Sequence, residues 1–223
     1  ELEAERERAA VAQVVSESDL PQRCSRKRIA CGSFLVIAAF AIAVIMMGWI
    51  GENELAAHQV AINIASTFYM MASGIAFAGG IRVGDGRGLK SIDHIKTSGN
   101  VAVGLVTAFM TLTMLSMIFF DKQFISLYLN DQEVMQIATK LLFIAAVFQL
   151  SDGLQVVALG NLRGLSDITI PTIITFVAYW VIALPMGYIL AFPLKFGAAG
   201  VWYGLLAGLT ASAILLLLRF YQL

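Results

Sequence analysis

The chain has 223 residues, of which 59% are hydrophobic and only 13% are charged, and its formal net charge is zero. Soluble domains carry roughly 25% charged residues, so this composition excludes an ordinary water-soluble globule and indicates an integral membrane protein. The balanced charge also gives no reason to expect a nucleic acid as a partner.

Residues 1–28 differ from the rest of the chain because they hold a large share of its charged side chains. Glu and Arg alternate there at helical spacing, so this part could form a short polar helix. We interpret residues 1–28 as a polar cytoplasmic N-terminal segment. It leads into a membrane domain over residues 29–223.

Six apolar stretches follow, and each is long enough to cross a hydrocarbon core of about 30 Å, which takes about 20 helical residues. They cover residues 29–50, 55–81, 98–120, 134–160, 168–192 and 199–218. They do not alternate in polarity as the strands of a membrane barrel do. The sequence therefore predicts an all-α membrane protein with a bundle of six transmembrane helices.

Lys and Arg side chains gather on one side of this bundle if the six spans alternate in direction. That side carries Arg23, Arg26, Lys27, Arg28, Arg82, Arg87, Lys90, Lys96, Arg163 and Arg219, and the other carries Lys122, Lys140 and Lys195. Loops rich in Lys and Arg stay in the cytoplasm. We therefore expect a multi-pass protein of the cell (inner) membrane with both termini cytoplasmic.

Polar side chains recur at helical spacing within three of the predicted spans. The second span carries Gln59, Asn63 and Ser66, the fourth Gln149, Asp152 and Gln155, and the fifth Thr172, Thr175 and Tyr179. Steps of three and four residues place each set on one helix face. Such faces either join helices through hydrogen bonds or line a polar site.

Asp152 lies midway between Lys140 and Arg163, which places it near the middle of the membrane if both cations mark interfaces. The deep parts of the spans contain no Lys or Arg that could neutralise it. An acid in this position is either a neutral group hydrogen-bonded for structural reasons or a group that binds a transported cation.

The pattern gives little support for catalysis. No nucleophile–base pair, phosphate loop or metal cluster is evident, so we expect neither an enzyme nor a metal or cofactor site. Pro185 is predicted to kink the fifth span. A kinked helix beside a polar cluster at mid-membrane suits a transporter.

Five segments in order resemble the multidrug and toxic compound extrusion (MATE) family. They are MGWIGENELAAHQVAINIAS, GIAFAGGIRVGDGRG, DGLQVVALGNLRGLSDITIPT, YWVIALPMGYIL and GAAGVWYGLLAGL. The resemblance implies a fold of twelve spans in two lobes, of which this chain is similar to the C-terminal one. It also implies export of drugs or organic cations in exchange for Na⁺ or H⁺, with a second six-helix lobe, from an N-lobe or a homodimer, as partner.

The resemblance assigns roles to individual residues. Asp152 with Gln155 matches the D-x-x-Q segment that carries the coupling acid in sodium-coupled members, so Asp152 is the expected cation-coupling residue. Gln155, Asn63, Thr175 and Tyr179 are the candidates for lining the substrate or ion site. Many members also carry a Glu in the first span of this lobe, where this chain has Val36.

Two alternative functions remain open at this point. One is a truncated membrane fragment that does not transport, because residues 1–28 and the start of the first span do not resemble the family. The other is a flippase of a related lipid-exporting group. A flippase should have a cationic cavity for phosphate headgroups, and the absence of Lys and Arg from the deep spans argues against it.

Overall fold

The computed structural model describes Ala30 and residues 32–128 and 131–223, and within them all regular structure is helical. The predicted polar segment 1–28 lies outside the described residues. The helices are α1 (Gly32–Ile50), α2 (Glu52–Gly88), α3 (Ile92–Phe119), α4 (Asp121–Ser126), α5 (Gln132–Gly164), α6 (Thr169–Phe176), a π-helix (Val177–Ala183), α7 (Leu184–Ala191) and α8 (Ala198–Gln222).

The predicted six-helix membrane fold is confirmed. Six helices of the described chain are long and apolar enough to cross a membrane. Five of them are α1, α2, α3, α5 and α8. The sixth is the continuous run Thr169–Ala191, which joins α6, the π-helix and α7.

Helix α2 is longer than the sequence predicts. The glycine-rich stretch RVGDGRG was expected to be a connector after residue 81, but α2 continues through it to Gly88. The chain then turns at Leu89 and Lys90, and Lys90 has a positive φ of 54°. Glycine is a poor helix former in isolation, so contacts with neighbouring helices override the local preference here.

Two helix starts are capped by side chains. The side chain of Ser91 accepts a hydrogen bond from the backbone N–H of His94 at 3.3 Å and begins α3. The carboxylate of Asp131 accepts one from the backbone N–H of Glu133 at 2.9 Å and begins α5. Both satisfy backbone donors that the first turn of a helix leaves unpaired.

Helix α5 occupies the centre of the bundle. It packs most extensively against α2 and α8, and it also contacts α3 and α4. Close approach to α2 depends on Gly160, since a Cβ at this position would lie 2.5 Å from the carbonyl oxygen of Ala76. Small residues at such crossings let two helices in lipid approach through their backbones.

The irregular part of the fifth span lies just before Pro185. Residues Val177–Ala183 form a π-helix, and the backbone N–H of Leu184 donates to the carbonyl of Tyr179, five residues earlier. Pro185 follows at the start of α7 and has no N–H to donate. The predicted disturbance at Pro185 thus takes the form of a π-helical segment. Tyr179 lies within this segment.

Candidate functional site

The main cavity of the described chain lies between α1, α2, α5, α6 and the π-helix and has a volume of about 520 Å³. Most of its wall is apolar. Its charged and polar lining residues are Ser33, Ser66, Tyr69, Asp152, Gln155, Arg163, Asp167, Thr172, Thr175 and Tyr179. Four of the five predicted site residues, Asp152, Gln155, Thr175 and Tyr179, are therefore brought together in one place.

Helix α5 contributes one face to the wall. Asp152, Val156, Leu159 and Arg163 follow one another at steps of four, three and four residues, and all line the cavity. This spacing is the one that keeps helical side chains on a single face. The half-buried Asp152 forms no hydrogen bond or ion pair with any other described residue.

Gln149 has a different role from the two polar residues that follow it on α5. Its side chain is completely buried, and its Nε2 donates to the carbonyl oxygen of Ala65 on α2 at 3.0 Å. It does not line the main cavity. The structural alternative weighed for these polar faces therefore holds for Gln149, which joins α5 to α2.

A hydrogen bond across the cavity joins the π-helix to α5. The phenolic hydroxyl of Tyr179 donates to Oε1 of Gln155 at 3.2 Å, and both side chains are buried. The hydroxyl of Thr175 instead donates to the carbonyl of Pro171 at 2.7 Å on its own helix. Because its proton is used there, the oxygen of Thr175 can only accept from, or bind, a group in the cavity.

Three aromatic rings close the end of the cavity that lies deepest in the bundle. Phe40 of α1 packs against Phe148 with ring centroids 6.3 Å apart and against Tyr179 at 5.9 Å. The opposite end carries Arg163 and Asp167, close to the helix ends where most Lys and Arg side chains are found. Asp152 lies between the aromatic end and this basic end.

Asn63, the fifth predicted site residue, lies outside the main cavity. Its side chain is exposed on the surface of the six-helix chain, whereas Ile62 and Ser66 of the same helix line the wall. Helical periodicity places Asn63 and Ser66 on neighbouring parts of one broad face. The cavity occupies only the part of that face that includes Ser66.

Four further polar or charged lining residues, Ser33, Tyr69, Arg163 and Asp167, were not predicted as site residues, although Tyr69 and Arg163 gave a signal. Arg163 was interpreted as a marker of the membrane interface, yet its spacing from Asp152 already places both on one face. Tyr69 follows Ile62 and Ser66 at helical steps. Asp167 lies in the linker between α5 and α6, where periodicity gives no information.

Val36, at the position where many MATE members carry a Glu, also lines the main cavity. The carboxylates of the described lining are therefore those of Asp152 and Asp167, with the guanidinium of Arg163 as the cation. Asp167 is paired with Arg219, so the charges left in this lining are those of Asp152 and Arg163, which sum to zero when Asp152 is ionised. The described wall therefore has no excess of basic groups that would select an anion when Asp152 is ionised.

Comparison with known proteins gives the same family along most of the chain. The MatE family model matches residues 29–189. A probable multidrug resistance protein NorM of Bacillus cereus is 40% identical over 189 residues, which are 85% of this chain and 42% of that protein. The multidrug resistance protein NorM of Aliivibrio fischeri is 40% identical over 197 residues, which are 86% of this chain and 42% of that protein.

Solved structures share the fold. The eukaryotic MATE transporter AtDTX14 superposes with a TM-score of 0.79 at 20% identity, over 83% of this chain and 42% of that chain. A multidrug resistance MATE family transporter in an outward-facing conformation gives 0.78 at 19% identity, over 87% of this chain and 45% of that chain. The family-model match and the identity of about 40% to NorM proteins show that the chain belongs to the multidrug and toxic compound extrusion family.

Proposed function

We propose that the chain forms the C-terminal lobe of an exporter that moves drugs or organic cations outward in exchange for Na⁺ or H⁺. Asp152 is the group that takes up the coupling ion. The single observation that carries this proposal is a carboxylate without a partner among the described residues, inside a cavity, midway along a membrane-spanning helix. Such a group is stable there when it holds a proton or a metal cation.

The oxygen atoms that share the cavity with Asp152 suit a small hard cation. Gln155, Thr172, Thr175 and Tyr179 line the same cavity and present oxygen atoms. The hydroxyl protons of Thr172 and Thr175 are already donated to backbone carbonyls, at 2.8 and 2.7 Å, so their oxygens are available as acceptors. Oxygen ligands of this kind are the ones that hard cations prefer in proteins.

The cargo is inferred from the walls of the cavity and from the names of relatives. The wall is largely apolar, and its free charges are the carboxylate of Asp152 and the guanidinium of Arg163, because Asp167 is paired with Arg219. An apolar wall with a free carboxylate suits an amphipathic cation. Relatives at about 40% identity are named multidrug resistance proteins. A lipid flippase would need a basic cavity for phosphate, so the charge balance disfavours that alternative.

Uptake and release of the ion would change the balance between two arrangements of the lobe. An ionised Asp152 draws water and cations into the cavity, whereas a neutralised Asp152 tolerates a closed, dry wall. The ion therefore shifts a conformational equilibrium by binding one state more tightly than the other. Exchange of this ion for a cationic drug gives antiport.

The test is Asp152→Asn in the assembled transporter, which keeps the shape of the side chain and removes its charge. We expect ion-driven efflux of a dye such as ethidium from proteoliposomes to fall by at least about tenfold, since loss of a charge at a coupling site removes the driving step. Asp152→Glu should retain part of the activity. The matched control, Asp85→Asn, removes an exposed acid outside the cavity and should transport normally.

A second measurement needs no transport. Infrared difference spectra of the purified chain on adding Na⁺ or raising the pH should show loss of a protonated carboxyl band that Asp152→Asn lacks. Normal transport by Asp152→Asn with unchanged Na⁺ and pH dependence would make Asp152 a structural group and place coupling in the other lobe.

We also propose an orientation, with the helix ends at Gly88, Gly164 and Gln222 facing the cytoplasm. This assignment is supported by the Lys and Arg side chains at that end of the bundle. In a background without Cys24 and Cys31, a cysteine at Asn53 should react with an impermeant thiol reagent added outside cells, and one at Asp93 should not. External labelling at Asp93 would reverse the orientation.

A further inference from the structure

A second cavity of about 470 Å³ lies at the end of the bundle that carries most of the basic side chains. Its walls come from the end of α2, the start of α3, the linker between α5 and α6, and the end of α8. We call it the basic pocket. Its lining residues are Arg87, Ile92, Ile95, Lys96, Leu165, Ser166, Asp167, Arg219, Phe220, Tyr221 and Leu223.

The charges around the basic pocket are not balanced by the described residues. Arg219 donates through Nε to the carboxylate of Asp167 at 3.0 Å. This is the only ion pair among the described residues. Arg87 donates to the neutral hydroxyl of Ser166. Lys96 is exposed, and neither Arg87 nor Lys96 has an acid partner in the described part of the chain. The lining therefore carries excess positive charge.

The geometry of the donors suits a phosphate group. A guanidinium has five N–H donors, and the ion pair of Arg219 with Asp167 uses Nε, so the group has further donors for a second anion. A single Arg guanidinium can bind two phosphate oxygens at once through parallel N–H donors, and a Lys ammonium adds a compact positive charge. Three such groups converge on one pocket from α2, α3 and α8.

The other side of the basic pocket is apolar and open. Ile92 is 67% exposed and Tyr221 is 51% exposed, and both line the pocket beside the buried ring of Phe220. These residues lie at the ends of membrane-spanning helices, where aromatic side chains mark the headgroup level. A ligand that matches both sides combines an anionic group with hydrocarbon.

We propose that the basic pocket binds an anionic phospholipid, with its phosphate between Arg87, Lys96 and Arg219 and its acyl chains leaving the pocket toward the membrane interior. Basic pockets between helix ends are sites of this type in membrane proteins. The pocket is separate from the transported cargo, which occupies the main cavity. Asp167 lines both, so a bound lipid also stabilises the linker between α5 and α6.

The experiment measures lipid binding to the purified 223-residue chain in detergent by native mass spectrometry. The probes are phosphatidylglycerol, phosphatidylcholine with the same acyl chains, and sn-glycerol 3-phosphate as the soluble source of the same phosphate chemistry. We expect phosphatidylglycerol to bind more tightly than either of the other two and to raise the unfolding temperature, because a ligand that binds the folded state stabilises it.

Variants identify the site. Lys96→Gln should weaken phosphatidylglycerol binding about fivefold, since each basic residue near an anionic lipid contributes roughly that factor. It leaves the ion pair of Arg219 and Asp167 intact, and Lys96 is exposed, so folding should not change. Lys90→Gln is the matched control, because it removes the same charge from the turn just before α3, outside the pocket lining.

Three results would overturn the proposal. Equal binding of phosphatidylglycerol and phosphatidylcholine would show no selection of an anionic headgroup. Equal loss in Lys90→Gln and Lys96→Gln would show a diffuse charge effect without a site. Binding of sn-glycerol 3-phosphate as tight as that of phosphatidylglycerol would identify a site for soluble anions, in which the acyl chains have no role.

Discussion

The hydroxyl of Tyr179 holds the amide of Gln155 in place one helical turn from Asp152. Both side chains are buried, and the hydroxyl donates to Oε1 of Gln155 at 3.2 Å. The ring of Tyr179 separately packs on Phe40 with centroids 5.9 Å apart. One atom of Tyr179 therefore orients the site, while the rest of the side chain fills the core.

Tyr179→Phe separates these two roles. The ring packing should survive, while Gln155 loses a donor in a buried place, so we expect a loss of about 1 kcal/mol in the free energy of unfolding. The affinity for the coupling ion should fall as well, because the Gln155 amide is no longer held. Unfolding in detergent and Na⁺ titration of the transporter measure the two effects.

Tyr203→Phe is the matched control, since Tyr203 is 45% exposed and lies outside the main cavity. It should leave both quantities unchanged. Equal effects of the two substitutions would mean that the bond between Tyr179 and Gln155 contributes nothing specific.

For single residues, the sequence predicts which side chains share a cavity where one helix face contains the whole signal. Asp152 and Gln155 lie on one face of α5, and Thr175 and Tyr179 on one face of the fifth span, and all four line the main cavity. Asn63 lies outside it, because periodicity fixes which residues share a face but not how far a neighbouring helix covers that face. Asp167 lies in a linker, where no period exists.

At the level of helices, the crossing of α2 and α5 depends on the absence of side chains. A Cβ on Gly160 would lie 2.5 Å from the carbonyl oxygen of Ala76, and one on Gly80 would lie 2.7 Å from the carbonyl oxygen of Gly160. Rigid backbone cannot move away from a new methyl group as a flexible side chain can. The two helices would have to separate.

Gly160→Ala should therefore destabilise the bundle, even though alanine is the better helix former. We expect a loss of about 1–3 kcal/mol in the free energy of unfolding, the range for overpacking a close contact. Thermal unfolding in detergent, followed by circular dichroism, measures it. Any gain in stability would mean that α2 and α5 do not cross at this glycine.

In the control variant, Gly104→Ala, the change in the free energy of unfolding should have the opposite sign. Nothing lies within 4 Å of a Cβ on Gly104 of α3, so Gly104→Ala is free of clashes. It should raise stability by up to about 1 kcal/mol through helix propensity alone. The pair distinguishes contact between helices from the intrinsic cost of glycine in a helix.

The existence of each membrane helix was predictable, and its ends were not. Long apolar runs have one structure available to them in lipid, which is a helix with its backbone bonds satisfied internally. The ends depend on packing. Glycines that terminate an isolated helix instead allow α2 to continue beside α5, and α2 ends only at Gly88. The π-helix before Pro185 was not predictable either. Pro185 predicts that the helix is disturbed but does not predict which form the disturbance takes.

For the whole molecule, the central fact is length. The chain spans about 42% of the NorM relatives and 42–45% of the MATE structures that it superposes on.

A single lobe supplies only one wall for a cleft. Ile37 of α1 lines the main cavity and is 66% exposed, so the cavity is open at this wall. Alternating access requires a second body that closes against this wall. The partner we propose is a six-helix N-lobe, and a second copy of this chain is the alternative.

We therefore expect the chain alone to give no ion-driven efflux and no drug resistance in cells. Co-expression with a matching N-lobe should restore both, because the two walls then enclose the cargo. Ethidium efflux, with the oligomeric state measured by light scattering in detergent, distinguishes the cases. Activity of a homodimer would assign the second wall to another copy of this chain. Robust efflux by a demonstrably monomeric chain would contradict the requirement for a second lobe, because one wall would then suffice to move the cargo across the membrane.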